Sequence, residues 1–99
     1  MGLHVALDEL RATGWSDLDS TGCSYHSDGR AYPGVARVKA EFAAAGYDFR
    51  IERIDQYACS RASWRDASGG DAGAVVGYTE AEAAVYALAQ LRRTLVAAA

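Results

Sequence analysis

Three segments of the chain repeat apolar residues every three or four positions, which is the period of an amphipathic helix. The pattern predicts helices over residues 3–12 and 34–45, and a third helix that begins after Thr79. Thr79 and Glu82 fit a capping box, in which the two side chains satisfy main-chain N–H groups at the start of the helix. The apolar positions that define the three helices are Leu3, Leu7, Leu10, Val35, Val38, Phe42, Ala81, Val85, Leu88, Leu91 and Leu95.

Between the second and third helices the pattern changes to strict alternation, which is typical of half-buried strands. Residues 47–52 alternate between apolar and charged side chains, and the alternation slips at residues 53–55, which predicts a turn or a bulge. Residues 57–64 predict a second strand, antiparallel to the first. Residues 68–73 are rich in glycine and predict a flexible connector, which is followed by a short strand over residues 74–78.

The segment between the first two helices, residues 14–34, is polar and interrupted by glycines. Within it, Asp28 and Gly29 lie between two short stretches with aromatic residues, 23–26 and 30–32, which is a hairpin signal. A loop of about 20 residues without local structure is unusual in a small domain. We therefore expect either structure or function in this segment.

The order of these elements is helix, hairpin, helix, three strands and helix, which predicts an α+β fold. In such a fold a small antiparallel sheet of two to three strands packs with helices. A chain of 99 residues can bury one modest core, so we expect a single domain over residues 1–99. Twenty-one of the residues are alanines, which favours close packing of the helices on the sheet.

Composition points to a cytoplasmic protein. No apolar run approaches the roughly 20 residues that a membrane span needs, and acidic residues follow the N-terminus too soon for a secretory signal. We therefore expect no membrane partner, and we expect Cys23 and Cys59 to remain thiols. A pI near 5.2 argues against general binding to nucleic acid, which depends on clustered positive charge.

The charges are unevenly distributed along the chain. Residues 1–28 carry five carboxylates against one arginine, a net charge of −4, whereas residues 50–65 carry four arginines against two carboxylates, a net charge of +2. Such polarity could steer a charged partner to one face of the protein. The alternative is that the acidic and the basic segments pack against each other.

The acidic segment contains an ion-binding pattern. It places oxygen-bearing side chains at loop positions one, three and five (Asp17, Asp19, Thr21) and a carboxylate at position twelve (Asp28), which resembles the calcium loop of an EF-hand. Position twelve is the shorter Asp instead of Glu, and position eight is Ser24 instead of an apolar residue. These departures favour a solvated acidic loop, with the four residues kept as an alternative ion- or ligand-binding site.

No catalytic or metal constellation has convincing spacing. Cys23 and His26 could form half of a zinc site with Cys59 or His4, but a second closely spaced pair is missing. The same scarcity argues against a Cys/His nucleophile pair. We therefore expect a protein that is not an enzyme and that uses no cofactor or metal.

Eight tryptophan and tyrosine residues are many for a chain of this length, and most are expected to fill the core. We expect the aromatic residues of the irregular segment, Trp15, Tyr25 and Tyr32, to be exposed instead. Aromatic side chains with a polar tip suit protein interfaces. Together with His26 and Arg30 they form the predicted partner-binding site.

The layout over about residues 32–96 resembles the phage α/β/α-sandwich domain family. The similarity consists of a helix over residues 35–45, a strand over residues 47–54, a strand that ends at Trp64, and residues 79–84, which resemble the family's Thr-x-x-x-Ala-x helix start. The resemblance implies a phage or mobile-element setting, and it supplies no catalytic residues. The N-terminal helix lies outside it.

The combined expectation is a small non-enzymatic binding or accessory protein that acts through contacts with a protein partner or as a homo-oligomer. The first alternative is a protein that binds a ligand or metal ion through the acidic 17–28 loop. The second alternative is a module similar to double-stranded-RNA-binding domains, because the order helix, three strands, helix is shared with them. The acidic start of the last helix argues against this alternative.

Overall fold

The structure is a computed structural model that describes residues 2–16, 18 and 21–98. It shows an α+β fold with a two-stranded and a three-stranded antiparallel sheet. A 3₁₀ turn, Asp55–Tyr57, joins the first two strands of the three-stranded sheet. The elements in chain order are α1 (Leu3–Ala12), β1 (Cys23–Tyr25), β2 (Ala31–Pro33), α2 (Val35–Ala44), β3 (Asp48–Ile54), β4 (Cys59–Arg65), β5 (Asp71–Gly77) and α3 (Glu80–Ala98).

The predicted helices and the hairpin are confirmed, and the strand boundaries are corrected. The turn predicted at residues 53–55 begins after Ile54, and the strand predicted over residues 57–64 is β4, Cys59–Arg65. Strand β5 begins at Asp71 instead of residue 74. The predicted connector is short because the Asp66 carboxylate closes a tight turn, accepting hydrogen bonds from the Ser68 hydroxyl (2.6 Å) and the Gly70 N–H (2.9 Å). These bonds lower the pKa of Asp66, with the largest contribution from the Ser68 hydroxyl.

The hydrophobic core lies between the three helices and one face of the three-stranded sheet, whose strands follow the order β3–β4–β5. Phe42 of α2 stacks on Phe49 of β3, with ring centroids 4.6 Å apart, and its centroid lies 5.0 Å from the indole of Trp64 on β4. Leu88 of α3 is buried in the same cluster. All three helices contribute to this core, so one face of the sheet is covered and the other is left to solvent.

The start of α3 is fixed by a close contact with the end of β5. The Thr79 hydroxyl accepts a hydrogen bond from the Glu82 N–H (3.1 Å), as the capping box predicts. The buried Glu82 carboxylate accepts from the N–H of Tyr78 (2.9 Å), one residue before the position that the capping box predicts. A Cβ on Gly77 would lie 2.7 Å from the main-chain nitrogen of Ala83, so glycine is required for this approach.

The N-terminal half packs on the helical side of the molecule. Helix α1 packs on α3, where Arg92 donates to the hydroxyl of Thr13 (2.8 Å). The β1–β2 hairpin joins the start of α2 through a hydrogen bond from the Gly34 N–H to the Gly22 carbonyl (2.9 Å). Within the described residues, no helix is long and apolar enough to cross a membrane.

Candidate functional site

The predicted partner-binding residues do not form one exposed surface. Trp15 is buried, with 6% of its surface exposed, so its expected exposure is wrong. The guanidinium of Arg37 lies 5.7 Å from the centroid of the Trp15 ring and covers it. A loop aromatic is therefore part of the core here because a helix side chain closes over it.

The other aromatic residues of this segment differ in exposure. Tyr25 is 69% exposed, which confirms the expectation for this residue. Tyr32 is half-buried and packs against the core, so the expectation of an exposed ring is corrected there. His26 is also half-buried, and its Nδ1 accepts a hydrogen bond from the main-chain N–H of Asp28 (3.3 Å).

The Arg30 side chain makes hydrogen bonds to other residues of the same chain. Its Nε donates to Asp28 (2.8 Å), and its Nη1 donates to Asp8 of α1. The hydrogen bond to Asp8 makes the largest contribution to a raised pKa of the Arg30 guanidinium. The main-chain N–H of Arg30, followed by its guanidinium, lowers the pKa of Asp28 to about 2. The guanidinium thus ties the hairpin to α1, and most of its donors face inward.

The predicted ion-binding residues are only partly placed. Asp17 and Asp19 lie outside the described residues. The Thr21 carbonyl accepts a hydrogen bond from Arg37 (3.0 Å), and the Asp28 carboxylate is engaged by Arg30. Among the described residues, no three His, Cys, Asp or Glu side chains are grouped so that they could hold a metal ion.

The two cysteines lie in different sheets. Cys23 is on β1, where its sulfur accepts a hydrogen bond from Arg37 (3.1 Å), and Cys59 is the first residue of β4. Both are free thiols. Among the described residues, the two cysteines form no disulfide, and neither belongs to a group of side chains that could hold a metal ion with His26.

The face of the three-stranded sheet that points away from the helices is not covered by any described element, and we call it the outer face. Alternation along the strands places every second side chain there, and the antiparallel register aligns them in rows. The strand side chains of the outer face are Asp48, Arg50, Glu52, Ile54, Cys59, Arg61, Ser63, Arg65, Asp71, Ala74 and Val76.

The middle of the outer face is formed by Arg61, Ser63 and Arg65 of β4, which we call the β4 ridge. Arg61 pairs with Glu52 on β3 (3.6 Å), and Arg65 pairs with Asp71 on β5 (3.3 Å). Two shallow clefts, of about 280 and 420 Å³, lie along the two sides of the ridge and share its three residues. The ridge therefore presents two guanidinium groups to solvent, each held from one side by a carboxylate.

One end of the outer face is apolar. Ile54 and Cys59 lie opposite each other on β3 and β4 and are half-buried. Val76 lies opposite Arg61 and is 46% exposed, and Tyr78, directly after β5, is 57% exposed. The β4 ridge thus borders a small apolar patch that no described element covers.

Among the described residues, the acidic and the basic segments form no ion pairs with each other. Asp8 and Asp28 pair with Arg30, whereas the arginines of residues 50–65 pair with carboxylates of their own sheet or turn. Three of these four arginines lie on the outer face, namely Arg50, Arg61 and Arg65.

The outer face was missed as a candidate site by the sequence analysis, although its signal is present. Arg61, Ser63 and Arg65 occupy alternate positions of one strand, so they had to share a face. Which face the helices cover depends on tertiary packing. The sequence analysis recognised the charge excess of residues 50–65 but did not recognise the row of side chains on β4.

No protein-family model, curated protein sequence or solved structure matches this chain. The resemblance to the phage α/β/α-sandwich family, and the phage or mobile-element setting that it implies, stay predictions.

Proposed function

We propose that the protein is a non-enzymatic binding module that acts in the cytoplasm through protein contacts made by the outer face. One observation carries this proposal: α2 and α3 pack on one face of the sheet, and the other face has exposed Val76 next to an arginine ridge, with exposed Tyr78 directly after β5. The free thiols of Cys23 and Cys59 are in keeping with a reducing compartment.

The chemistry of the outer face fits a protein partner. Each guanidinium has five N–H donors, and the ion pairs of Arg61 and Arg65 leave most of these donors available. Arginine and tyrosine are enriched at the centres of protein interfaces. We expect the partner to present an apolar patch beside carboxylates, because these groups complement Val76, Tyr78 and the β4 ridge.

The two alternatives have weaker support. Of the four predicted ion-binding residues, the structure describes Thr21 and Asp28. The Thr21 carbonyl and the Asp28 carboxylate both accept hydrogen bonds from arginines of the same chain. The order α2-β3-β4-β5-α3 is that of double-stranded-RNA-binding domains, but the exposed Glu80 at the start of α3 would repel a phosphate backbone.

The test compares capture of proteins from a lysate of the native cells by the wild-type protein and by a double variant of the ridge, Arg61→Gln with Arg65→Gln. A matched control carries Lys39→Gln and Arg93→Gln, which remove the same charge from exposed positions on α2 and α3. We expect the ridge variant to lose at least about 90% of the captured partner, because two charge-assisted contacts are removed. The control should retain the partner.

Quantitative mass spectrometry of the three captures provides the readout, and thermal unfolding of the three proteins verifies that each is folded. Equal capture by the ridge variant and the wild-type protein would show that the outer face is not the contact surface. Loss that is equal in the ridge variant and in the control would indicate a general charge effect and would also overturn the proposal.

A further inference from the structure

The three-stranded sheet has two edges, and β5 forms one of them. It pairs with β4 on one side, and no described strand pairs with its other side. Two of the three inward-facing residues of β5, Gly73 and Val75, are half-buried, and the third, Gly77, is buried where α3 approaches the strand. The helices therefore leave the middle of the β5 edge, around Val75, accessible.

The turn before β5 determines which of its main-chain groups are free. The N–H of Asp66 donates to the carbonyl of Gly70 (2.9 Å), so the main-chain groups of Asp66 point toward β5. This direction alternates along β4, so the main-chain N–H and carbonyl groups of Ser63 and Arg61 point toward β3. On β5, Ala74 lies opposite Ser63 and Val76 lies opposite Arg61. The main-chain groups of Ala74 and Val76 therefore do not bond to β4 and point to the open edge.

The sequence of β5 gives this edge little protection beyond its first residues. Natural proteins block open edges with charged residues, proline, a bulge or a short strand. The pairing of β5 with β4 has a register shift between Gly73 and Asp71, and it is regular from Gly73 to Gly77. From residue 72 to residue 77, β5 contains only alanine, glycine and valine, and its one charge is Asp71 at the start. A row of free main-chain donors and acceptors with small uncharged side chains can pair with another strand of the same kind.

We propose that β5 pairs with β5 of a second copy of this chain, in antiparallel orientation, to form a dimer with a continuous six-stranded sheet. A register centred on Val75 joins the free groups of Ala74 to those of Val76 in the second copy. It also brings the two half-buried Val75 side chains together and places the two Asp71 carboxylates at opposite ends. An isologous contact of this kind closes as a dimer, since each edge is used once.

This arrangement adds to the proposed function without depending on it. Pairing of the β5 edges joins two outer faces side by side, so that both β4 ridges lie on one surface. A protein partner could then contact two ridges at once, with a gain in avidity. The dimer itself requires only the main chain of β5 and its small side chains.

The test is sedimentation velocity of the purified full chain from about 5 µM to about 500 µM, because a short edge contact is expected to have a micromolar Kd. Ala74→Pro removes an N–H that does not bond to β4, and Val76→Lys places a charge on the edge. Ala40→Lys adds the same charge on an exposed position of α2 and serves as the control.

We expect the wild-type protein and Ala40→Lys to form a dimer as concentration rises, and Ala74→Pro and Val76→Lys to stay monomeric. If Ala74→Pro does not fold, Val76→Lys alone decides. A wild-type protein that is monomeric throughout the range contradicts the proposal, and so does a dimer that persists in Val76→Lys. The ridge variant Arg61→Gln with Arg65→Gln should still dimerise, so failure of this inference is distinguishable from failure of the proposed function.

Discussion

The two edge strands of the same sheet, β3 and β5, are built in opposite ways. Four of the seven residues of β3 are charged, whereas β5 has one charge among seven. On the core side, β3 contributes the buried ring of Phe49, and β5 contributes glycines at residues 73 and 77. One edge is therefore anchored by a large side chain and protected by charge, and the other is closely packed and unprotected.

The difference shows that a strand can satisfy the packing of the core without protecting its own edge. The indole of Trp64 lies against Gly73, so that β4 supplies the volume that β5 lacks. At Gly77 the absence of a side chain allows β5 to approach α3 closely. A strand of small residues satisfies the core in this way, but it has no long side chains with which to cover its own edge.

The largest expected effect concerns the anchor of β3. Phe49→Ala removes a buried ring that stacks on Phe42, and we expect the free energy of unfolding to fall by about 3–5 kcal/mol. Urea denaturation followed by tryptophan fluorescence measures it. Arg50→Ala, at the neighbouring exposed position, should change the value by less than about 0.5 kcal/mol. A loss below about 1 kcal/mol for Phe49→Ala would mean that the ring does not anchor this strand.

The next effect concerns the close packing of β5. A Cβ on Gly73 would lie 2.3 Å from the Trp64 ring, which is buried and cannot move freely. We expect Gly73→Ala to lower the free energy of unfolding by about 1–3 kcal/mol, which exceeds the roughly 0.4–1 kcal/mol gained from a less flexible unfolded chain. The same urea titration measures it, with Ala74→Ser as the exposed neighbour. A stabilised Gly73→Ala protein would contradict the contact.

The smallest effect on stability tests the role of charge on β3. Arg50→Thr with Glu52→Thr removes two charges and two exposed ion pairs, which should cost no more than about 1 kcal/mol in total. We expect this variant to self-associate when it is made in the Ala74→Pro background, where the β5 edge is blocked. Sedimentation velocity measures the association. A fully monomeric protein would show that charge is not what protects β3.

The elements were predictable from the sequence because helices and strands have distinct periods. The spacing of Leu3, Leu7 and Leu10 gave the limits of α1, and the Asp28-Gly29 pair located the hairpin. The start of β5 was not predictable, since it depends on the side chain of Asp66 closing a turn over Ser68 and Gly70. A glycine-rich sequence does not reveal such a bond.

The candidate site was harder to predict than the fold. Trp15 lies in an irregular segment, yet it packs in the hydrophobic core and is covered by Arg37, more than 20 residues later. Arg30 was expected to contact a partner, but its guanidinium joins Asp8 of α1 to Asp28 of the hairpin. Contacts between distant segments decide exposure in both cases, and a local pattern carries no information about them.

The two guanidinium groups that hold the β1–β2 hairpin have a consequence for how the molecule opens. Arg30 fastens the hairpin to α1, and Arg37 of α2 holds the Thr21 carbonyl and the Cys23 sulfur at its base. The hairpin therefore cannot detach alone, because its release would break contacts with both helices. Local opening of this region is coupled to loosening of the helical layer, so that a two-stranded segment too small to be stable by itself shares the cooperativity of the whole core.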